Sequence, residues 1–291
     1  MNPVIRVTVL VENTAAGRGL CGEHGLAYWI EARPERVLFD TGQTPEVLLQ
    51  NADALGIDLA AAHAVAISHG HYDHTGGLWE LLRLGGKPRL LIHPKALARR
   101  VSQQRDGTIQ DVGIPPQNDL ESLEQHTSSL TFTDGPTPVT EGLWVTGEVP
   151  RLNEYEDTGG RFFLDEACES ADPIVDDQAL FFDTRDGIVV VLGCGHSGVV
   201  NTLRYVQELT FGRPIHAVLG GMHLIHASEH RLDETVTAFR DIDIEMLGPA
   251  HCTGARAQAR LWWEFQDRWV PCQVGSRFEF STEANRLTHM K

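Results

Sequence analysis

Six consecutive positions, His69-Gly70-His71-Tyr72-Asp73-His74, hold three imidazoles and a carboxylate. Neutral imidazole and carboxylate are the ligand types that suit zinc and similar divalent ions. They follow an apolar run, Ala64 to Ile67, that reads as a buried strand, and they precede Gly76-Gly77, which opens onto an amphipathic stretch. Alternation along an extended chain sends His69, His71 and Asp73 to one side. The turn, or the start of the next helix, then swings His74 in. A solvated histidine-rich loop is the plainer reading, but such loops do not usually follow a strand so closely. A metal site is the expectation.

Three more histidines stand in similar places. His196 follows Ile188-Val189-Val190-Val191-Leu192, His223 follows Ala217-Val218-Leu219, and His251 follows Ile244-Glu245-Met246-Leu247. Each lies just past a short apolar strand and close to glycine. Ligands gather at such strand ends in layered α/β folds. One of these could be a satisfied core histidine; three, added to the first cluster, are hard to explain that way.

The spacing His-x-His-x-Asp-His, with isolated histidines downstream, resembles the signature of the metallo-β-lactamase-fold hydrolases, and the resemblance runs from about Val4 to Phe280. Further segments are Glu23-His24-Gly25-Leu26, Phe39-Asp40-Thr41-Gly42, Gly147-Glu148-Val149-Pro150-Arg151, Gly193-Cys194-Gly195-His196, Gly220-Gly221-Met222-His223-Leu224 and His251-Cys252-Thr253-Gly254. Together these resemble the 7,8-dihydropterin-6-methyl-4-(β-D-ribofuranosyl)aminobenzene-5′-phosphate synthases. The resemblance implies an α/β (α+β) fold, a four-layer αβ/βα sandwich. It assigns His69, His71 and His196 to one metal and Asp73, His74 and His251 to a second. Zn2+ is the expected ion, one or two per chain, with Mn2+ or Fe2+ as alternatives. Two ions roughly 3.5–4 Å apart would polarise a substrate oxygen and hold a hydroxide between them. Zinc lowers the pKa of its water to near 7, so no serine or cysteine nucleophile is needed. With the second site empty, Asp73 would instead take the nucleophile's proton.

One departure from the family pattern matters. Many relatives carry a bridging Asp where this chain has Gly220-Gly221-Met222-His223, which offers no carboxylate. His223 is then a ligand of the second metal, a group that contacts substrate, or a histidine packed under the sheet. Asp40 ends a strand and in the family orients the metal-binding groups by hydrogen bonding; an ordinary turn Asp is the alternative. His24 either approaches the same mouth or is a surface histidine. Ser197 and Gly198 open a helix whose free N–H groups could receive a phosphate or carboxylate, or Ser197 is simply a cap. Arg151 is a candidate phosphate partner through its planar guanidinium, with surface solvation as the alternative. The five cysteines, Cys21, Cys168, Cys194, Cys252 and Cys272, show no C-x-x-C pair and no disulfide pattern. Most read as small buried apolar residues, although Cys194 and Cys252 lie beside candidate ligands.

The elements that must position these groups follow from period and punctuation. Strands are expected at 4–11, 26–30 and 36–39, with Glu31-Ala32-Arg33-Pro34 as the turn between the last two. A helix is expected at 45–56, a strand at 64–67, a helix at 77–84 and a strand at 89–92. Residues 95–180 are rich in Gly, Pro, Asp, Glu and Ser. They read as a loop-rich insertion over the active-site mouth of a single domain, with 143–146 a strand and 147–156 a substrate-facing loop. Beyond it come a hairpin of 180–183 and 188–192, a helix at 199–209, a strand at 215–219, a helix at 229–240, a strand at 244–247, a helix near 255–265 and a strand at 276–280.

Bulk properties narrow the function classes. The chain of 291 residues carries 24 basic and 40 acidic residues, for a net charge of −16. That argues against nucleic acid as a partner, because phosphate contacts need clustered Lys and Arg. No apolar run is long enough for a membrane span, and Met1-Asn2-Pro3-Val4 has no secretory pattern, so a cytoplasmic protein is expected. The expectation is a metal-dependent hydrolase or transferase acting on a small phosphorylated or ester-containing molecule, with a pterin-related substrate implied by the resemblance. A general phosphodiesterase, lactonase or arylesterase is the alternative. A metal- or ligand-binding sensor without turnover is the alternative of another class. Oligomeric state is open, a homodimer included.

Overall fold

The structure, a computed structural model, describes residues 4–32 and 34–282. Arg33, in the expected turn, lies outside them, as do the first three residues. The strands in chain order are β1 (Val4–Val11), β2 (Ala27–Ala32), β3 (Glu35–Phe39), β4 (Ala64–Ala66), β5 (Arg89–Ile92), β6 (Val101–Gln103), β7 (Ile109–Asp111) and β8 (Ser129–Phe132). They continue as β9 (Thr137–Thr140), β10 (Leu143–Val145), β11 (Phe162–Phe163), β12 (Ala179–Asp183), β13 (Ile188–Leu192), β14 (Ile215–Gly221), β15 (Met246–Ala250) and β16 (Arg277–Ser281). The α-helices are α1 (Pro45–Leu55), α2 (Tyr72–Thr75), α3 (Leu78–Arg83), α4 (Leu120–His126), α5 (Val199–Leu209), α6 (Glu229–Ile242) and α7 (Ala255–Phe265).

Two large sheets organise the chain. One has the order β16-β1-β2-β3-β4-β5-β8 and the other β15-β14-β13-β12-β10-β9. Side-chain alternation along each strand decides what each face covers. On β13, Val189 and Val191 join Val7, Val9 and Phe39 of the first sheet in a shared core between the sheets. Ile188, Val190 and Leu192 of the same strand pack instead with Leu203, Leu232 and Leu261 from α5, α6 and α7. The outer face of the first sheet, through Val65, Leu38 and Leu90, is covered by Leu48 of α1, Leu81 of α3 and Leu123 of α4. The result is helix, sheet, sheet, helix: the four-layer αβ/βα sandwich that the motif implied. Helix periodicity in the cover helices and period-two burial in the strands both follow from that stacking.

Some boundaries differ from those expected. β14 runs on through Gly220 and Gly221, and β15 through Gly248 and Pro249, although glycine and proline read as strand ends. β15 is the outermost strand of its sheet, where a missing proline N–H removes no ladder bond on the open side.

The 95–180 region is also more regular than its composition suggested. β8 completes the first sheet, and β9 and β10 form the far edge of the second. β6, β7 and β11 make a small separate sheet in the order β11-β6-β7, and β11 brings Phe162 against the histidine cluster. These strands have two to four residues, and β7 and β8 are largely exposed, so they are too short or too polar to show the apolar alternation that marks a strand in sequence.

Candidate metal centre

The metal-motif segment is held from several sides. After β4, the Ser68 N–H donates to Asp40 Oδ1 at 2.7 Å and the Gly70 N–H donates to Asp176 Oδ2 at 2.8 Å. Asp176 is itself gripped by the buried Arg100, whose two terminal nitrogens donate to its two oxygens at 3.0 Å each. Gly70 is required by close approach: a Cβ there would stand 2.1 Å from the Ala96 carbonyl oxygen. Asp73 and His74 then fall on the single-turn helix α2, which turns His74 back toward His69, their ring centres 4.3 Å apart.

Two donor sets result. His69 Nε2 lies 3.0 Å from His71 Nδ1, and the His196 ring centre is 4.8 Å from that of His69 and 4.9 Å from that of His71. In the second set Asp73 Oδ2 lies 3.2 Å from His251 Nε2 and 3.7 Å from His74 Nε2. Donor atoms of Asp73, His74, Cys194 and His251 all lie within 4.8 Å of one another, as do those of His69, Cys194 and His196.

The opposite ring nitrogens are tethered. His69 Nδ1 meets Ser68 Oγ at 2.9 Å, and His74 Nδ1 meets Asp40 Oδ2 at 2.7 Å. His196 Nδ1 meets the Thr158 carbonyl at 2.8 Å, and His251 Nδ1 meets Asn13 Oδ1 at 2.8 Å. A proton fixed on the outer nitrogen leaves the inner one with its lone pair, the arrangement a metal-ligating imidazole needs. The inner Nε2 atoms of His196 and His251 are buried and have no hydrogen-bond partner. Buried polar atoms without partners are uncommon, and an ion explains them here. The nitrogen, oxygen and sulfur donors suit zinc and its neighbours.

Electrostatics agree with this for three of the rings. Burial, then the neighbouring charges of His74, His71 and His196, holds His69 well below its ordinary value. Burial and the nearby Arg100 pull His71 down to about 3, and burial with His223 lowers His196. These rings are therefore neutral and ready as ligands at neutral pH. Burial opposes charge on His74 too, but Asp73 and Asp40 prevail and lift it to about 9. Burial would raise Asp73, yet His74, His24 and His251 keep it well below the carboxylate range.

Residues 22–152 match the metallo-beta-lactamase superfamily. A solved structure described as a metal-dependent hydrolase of the beta-lactamase superfamily is 32% identical, superposes with a TM-score of 0.80, and shares 95% of this chain and 99% of its own. The chain belongs to the metallo-β-lactamase superfamily. Among its relatives in Methanocaldococcus jannaschii is a 7,8-dihydropterin-6-methyl-4-(beta-D-ribofuranosyl)-aminobenzene-5'-phosphate synthase, 26% identical over 95% of this chain and 97% of that protein. An uncharacterized protein of the same organism is 30% identical over 88% and 93%.

The remaining candidates of this superfamily member take varied places. Asp40 is fully buried and accepts from Ser68 N–H, Ser68 O–H and His74 Nδ1, so one carboxylate holds His74 directly and His69 through Ser68. Asp40, His223 and His251 all have positive φ, 61°, 45° and 49°. Such backbone strain in non-glycine residues concentrates at functional sites. His24 is mostly exposed, yet its Nε2 reaches within 3.2 Å of Asp73 Oδ2. His223 stands beside His196, ring centres 4.1 Å apart, with a buried Nδ1 that has no partner. Gly159 makes room for that ring, since a Cβ there would meet it at 1.8 Å.

Two groups expected to meet a phosphate have partners within the chain. Arg151 is not held out toward a phosphate: its guanidinium donates to the carbonyls of His196 at 2.9 Å and Pro173 at 2.6 Å, tying the covering loop to the strand end. At the start of α5, three N–H groups are likewise already taken. The Ser197 N–H is taken by Asp177, and those of Val200 and Asn201 by the two oxygens of Glu156, at 2.8–2.9 Å. A carboxylate from this chain already satisfies the positive helix end. Glu156, Asp177, Thr158 and Asn13 were not visible as site residues in sequence, because each acts through a contact across a long loop. Phe162, whose ring lies 5.0 Å from His71 and 5.4 Å from His196, belongs to the same group.

Proposed function

We propose that the chain is a metal-dependent enzyme that hydrolyses, or transfers a group from, a small phosphorylated or ester-containing molecule. The observation that supports this is the convergence of six side chains, four of them imidazoles tethered at the outer nitrogen, around the buried Nε2 atoms of His196 and His251, which have no hydrogen-bond partner. In this reading His69, His71 and His196 hold one ion, and Asp73, His74 and His251 hold a second. Bound divalent ions supply Lewis-acid polarisation of the substrate oxygen and make water a competent nucleophile at neutral pH. The chain's own contribution is orientation. Asp40 fixes His74 directly and His69 through Ser68, Thr158 fixes His196, and Asn13 fixes His251. His223, beside His196 and partly open, is placed to give a proton to the leaving group or to contact substrate. Phe162 forms an aromatic wall against which a flat ring can stack.

The substrate class rests on the relatives. The dihydropterin-containing product named for one of them fits an aromatic wall beside the centre, which supports a pterin-related substrate. Because Arg151 and the α5 start are engaged internally, recognition of a phosphate would fall to the ions and to His24. That observation favours a second reading, an arylesterase or lactonase, whose substrates need no dedicated phosphate grip. The proposed partner in either case is a small molecule.

The test is metal content and turnover measured together, with phosphodiesters, aryl esters and lactones as substrates, for wild type and His69→Ala. Turnover that needs the ion and falls by orders of magnitude in the variant supports the reading. Unchanged turnover in His69→Ala, or in protein verified free of metal, refutes it. Retained metal binding with no turnover on any of these substrates would favour the sensor reading.

A further inference from the structure

Cys194 lies in both donor sets. Its Sγ is within 4.8 Å of the donor atoms of Asp73, His74 and His251, and equally of those of His69 and His196. It stands 3.2 Å from His74 Nε2, the inward nitrogen of that ring, and the residue is 3% exposed. The buried Nε2 atoms of His196 and His251, both without partners, flank the same space.

We propose that the Cys194 thiolate is the ligand shared by the two ions, taking the role that a bridging carboxylate has in many relatives. This rests on the metal-dependent reading above. Three observations carry it. The end of β14 offers no carboxylate, and its Gly221 leaves space for thiols: a Cβ at 221 would meet Cys252 Sγ at 2.7 Å and Cys194 Cα at 3.2 Å. Gly221 therefore has no room for an aspartate beside Cys252, and the Cys194 thiol, just past β13, is a donor this chain does have in that space. The dimensions also agree, since zinc–thiolate bonds of about 2.3 Å let one sulfur touch two ions roughly 3.5–4 Å apart. Finally, the neighbouring Cys252 is directed elsewhere. Its Sγ–H donates to the Cys194 carbonyl at 3.4 Å, and its donor group is Cys194 with His223, without Asp73 or His69. Cys252 is thus a positioning residue for the Cys194 backbone. On loading, the Cys194 S–H bond breaks, the proton leaves to solvent, and two metal–sulfur bonds form with no change of oxidation state.

X-ray absorption at the zinc edge of the fully loaded protein tests this, with the cobalt-loaded form as a second readout. Wild type and Cys252→Ser should show a sulfur shell at about 2.3 Å with one sulfur per ion, and a thiolate-to-cobalt charge-transfer band. Cys194→Ser should lose both signals. Ions held by nitrogen and oxygen alone in wild type, one sulfur per pair of ions, or a sulfur signal that survives in Cys194→Ser would overturn the assignment and leave the metal-dependent reading intact. A wild-type protein that binds no ion would overturn both.

Discussion

Replacing Asp40 with Asn changes one oxygen to an NH2 group and, on this geometry, reverses the tautomer of a metal ligand. Asp40 Oδ1 accepts the Ser68 backbone N–H, so the variant's remaining oxygen must stay there. The amide nitrogen then replaces Oδ2, which faces Ser68 Oγ and His74 Nδ1 at 2.7 Å each. Ser68 Oγ can adapt, because a hydroxyl accepts as well as donates, and His69 keeps its proton on Nδ1. His74 cannot adapt. To avoid two donors facing each other it must accept at Nδ1 and carry its proton on Nε2, the atom that should bind metal.

The expected loss is therefore unequal. Removing an outer partner of a metal-binding histidine costs about 10–100-fold in affinity. The second site, with the wrong tautomer, should sit at the upper end, about 2.7 kcal/mol, and the first site near or below the lower. The assay is zinc titration by calorimetry with a competing chelator, together with nitrogen-15 spectra of the imidazoles in the metal-free protein. The reasoning fails if Asp40→Asn binds both ions as tightly as wild type. It fails equally if the first site alone weakens, or if His74 keeps its proton on Nδ1.

Three further outcomes follow from the same contacts. Metal-free protein should lose stability as pH falls from 7 to 5. His69, His71 and His196 are depressed in the folded state, so the unfolded chain binds more protons below about 6.5 and draws the equilibrium its way. His74, raised to about 9, works in the opposite direction, stabilising below the unfolded value and losing that contribution as pH rises through 9. Asp177, raised to about 6 by burial, works with His74; three depressed rings outweigh the two, and a melting temperature that rises toward pH 5 would contradict the balance. Arg100→Met should destabilise by about 3–5 kcal/mol, because it leaves the buried carboxylates of Asp172 and Asp176 without their cation. Denaturant unfolding measures this, and a loss under about 1 kcal/mol would mean the pair is not the clamp described. Gly70→Ala should cost about 1–3 kcal/mol or more, since its Cβ meets the Ala96 carbonyl at 2.1 Å. It should also weaken zinc binding by displacing His69 and His71, and wild-type affinity in a folded Gly70→Ala protein would refute that link.

What the chain discloses in advance depends on how locally each role is written. His69, His71, Asp73 and His74 share one strand end and one helical turn, so their convergence is a matter of backbone period alone. His196, His223 and His251 each follow a strand of the same sheet, and β13, β14 and β15 are adjacent and parallel, so three separate strand ends must come together at one edge. The contacts that aim those rings have no such local record. Thr158 reaches His196 through a carbonyl, and a carbonyl is the same in every residue type. Asn13 reaches His251 across a separation of 238 positions. The internal partners of Arg151 and the α5 start went unseen for a related reason. An arginine or a helix end advertises a capacity to bind anions, but sequence does not say whether the anion is a ligand or, as with Glu156 and Asp177, the chain's own. Cys194 shows the converse. Its neighbour His196 was read as a ligand and the thiol mainly as packing, because a place just past a buried strand does not distinguish core from metal pocket. Only the folded arrangement, which sets the Cys194 sulfur within 4.8 Å of donor atoms from both sets, shows what lies beside it.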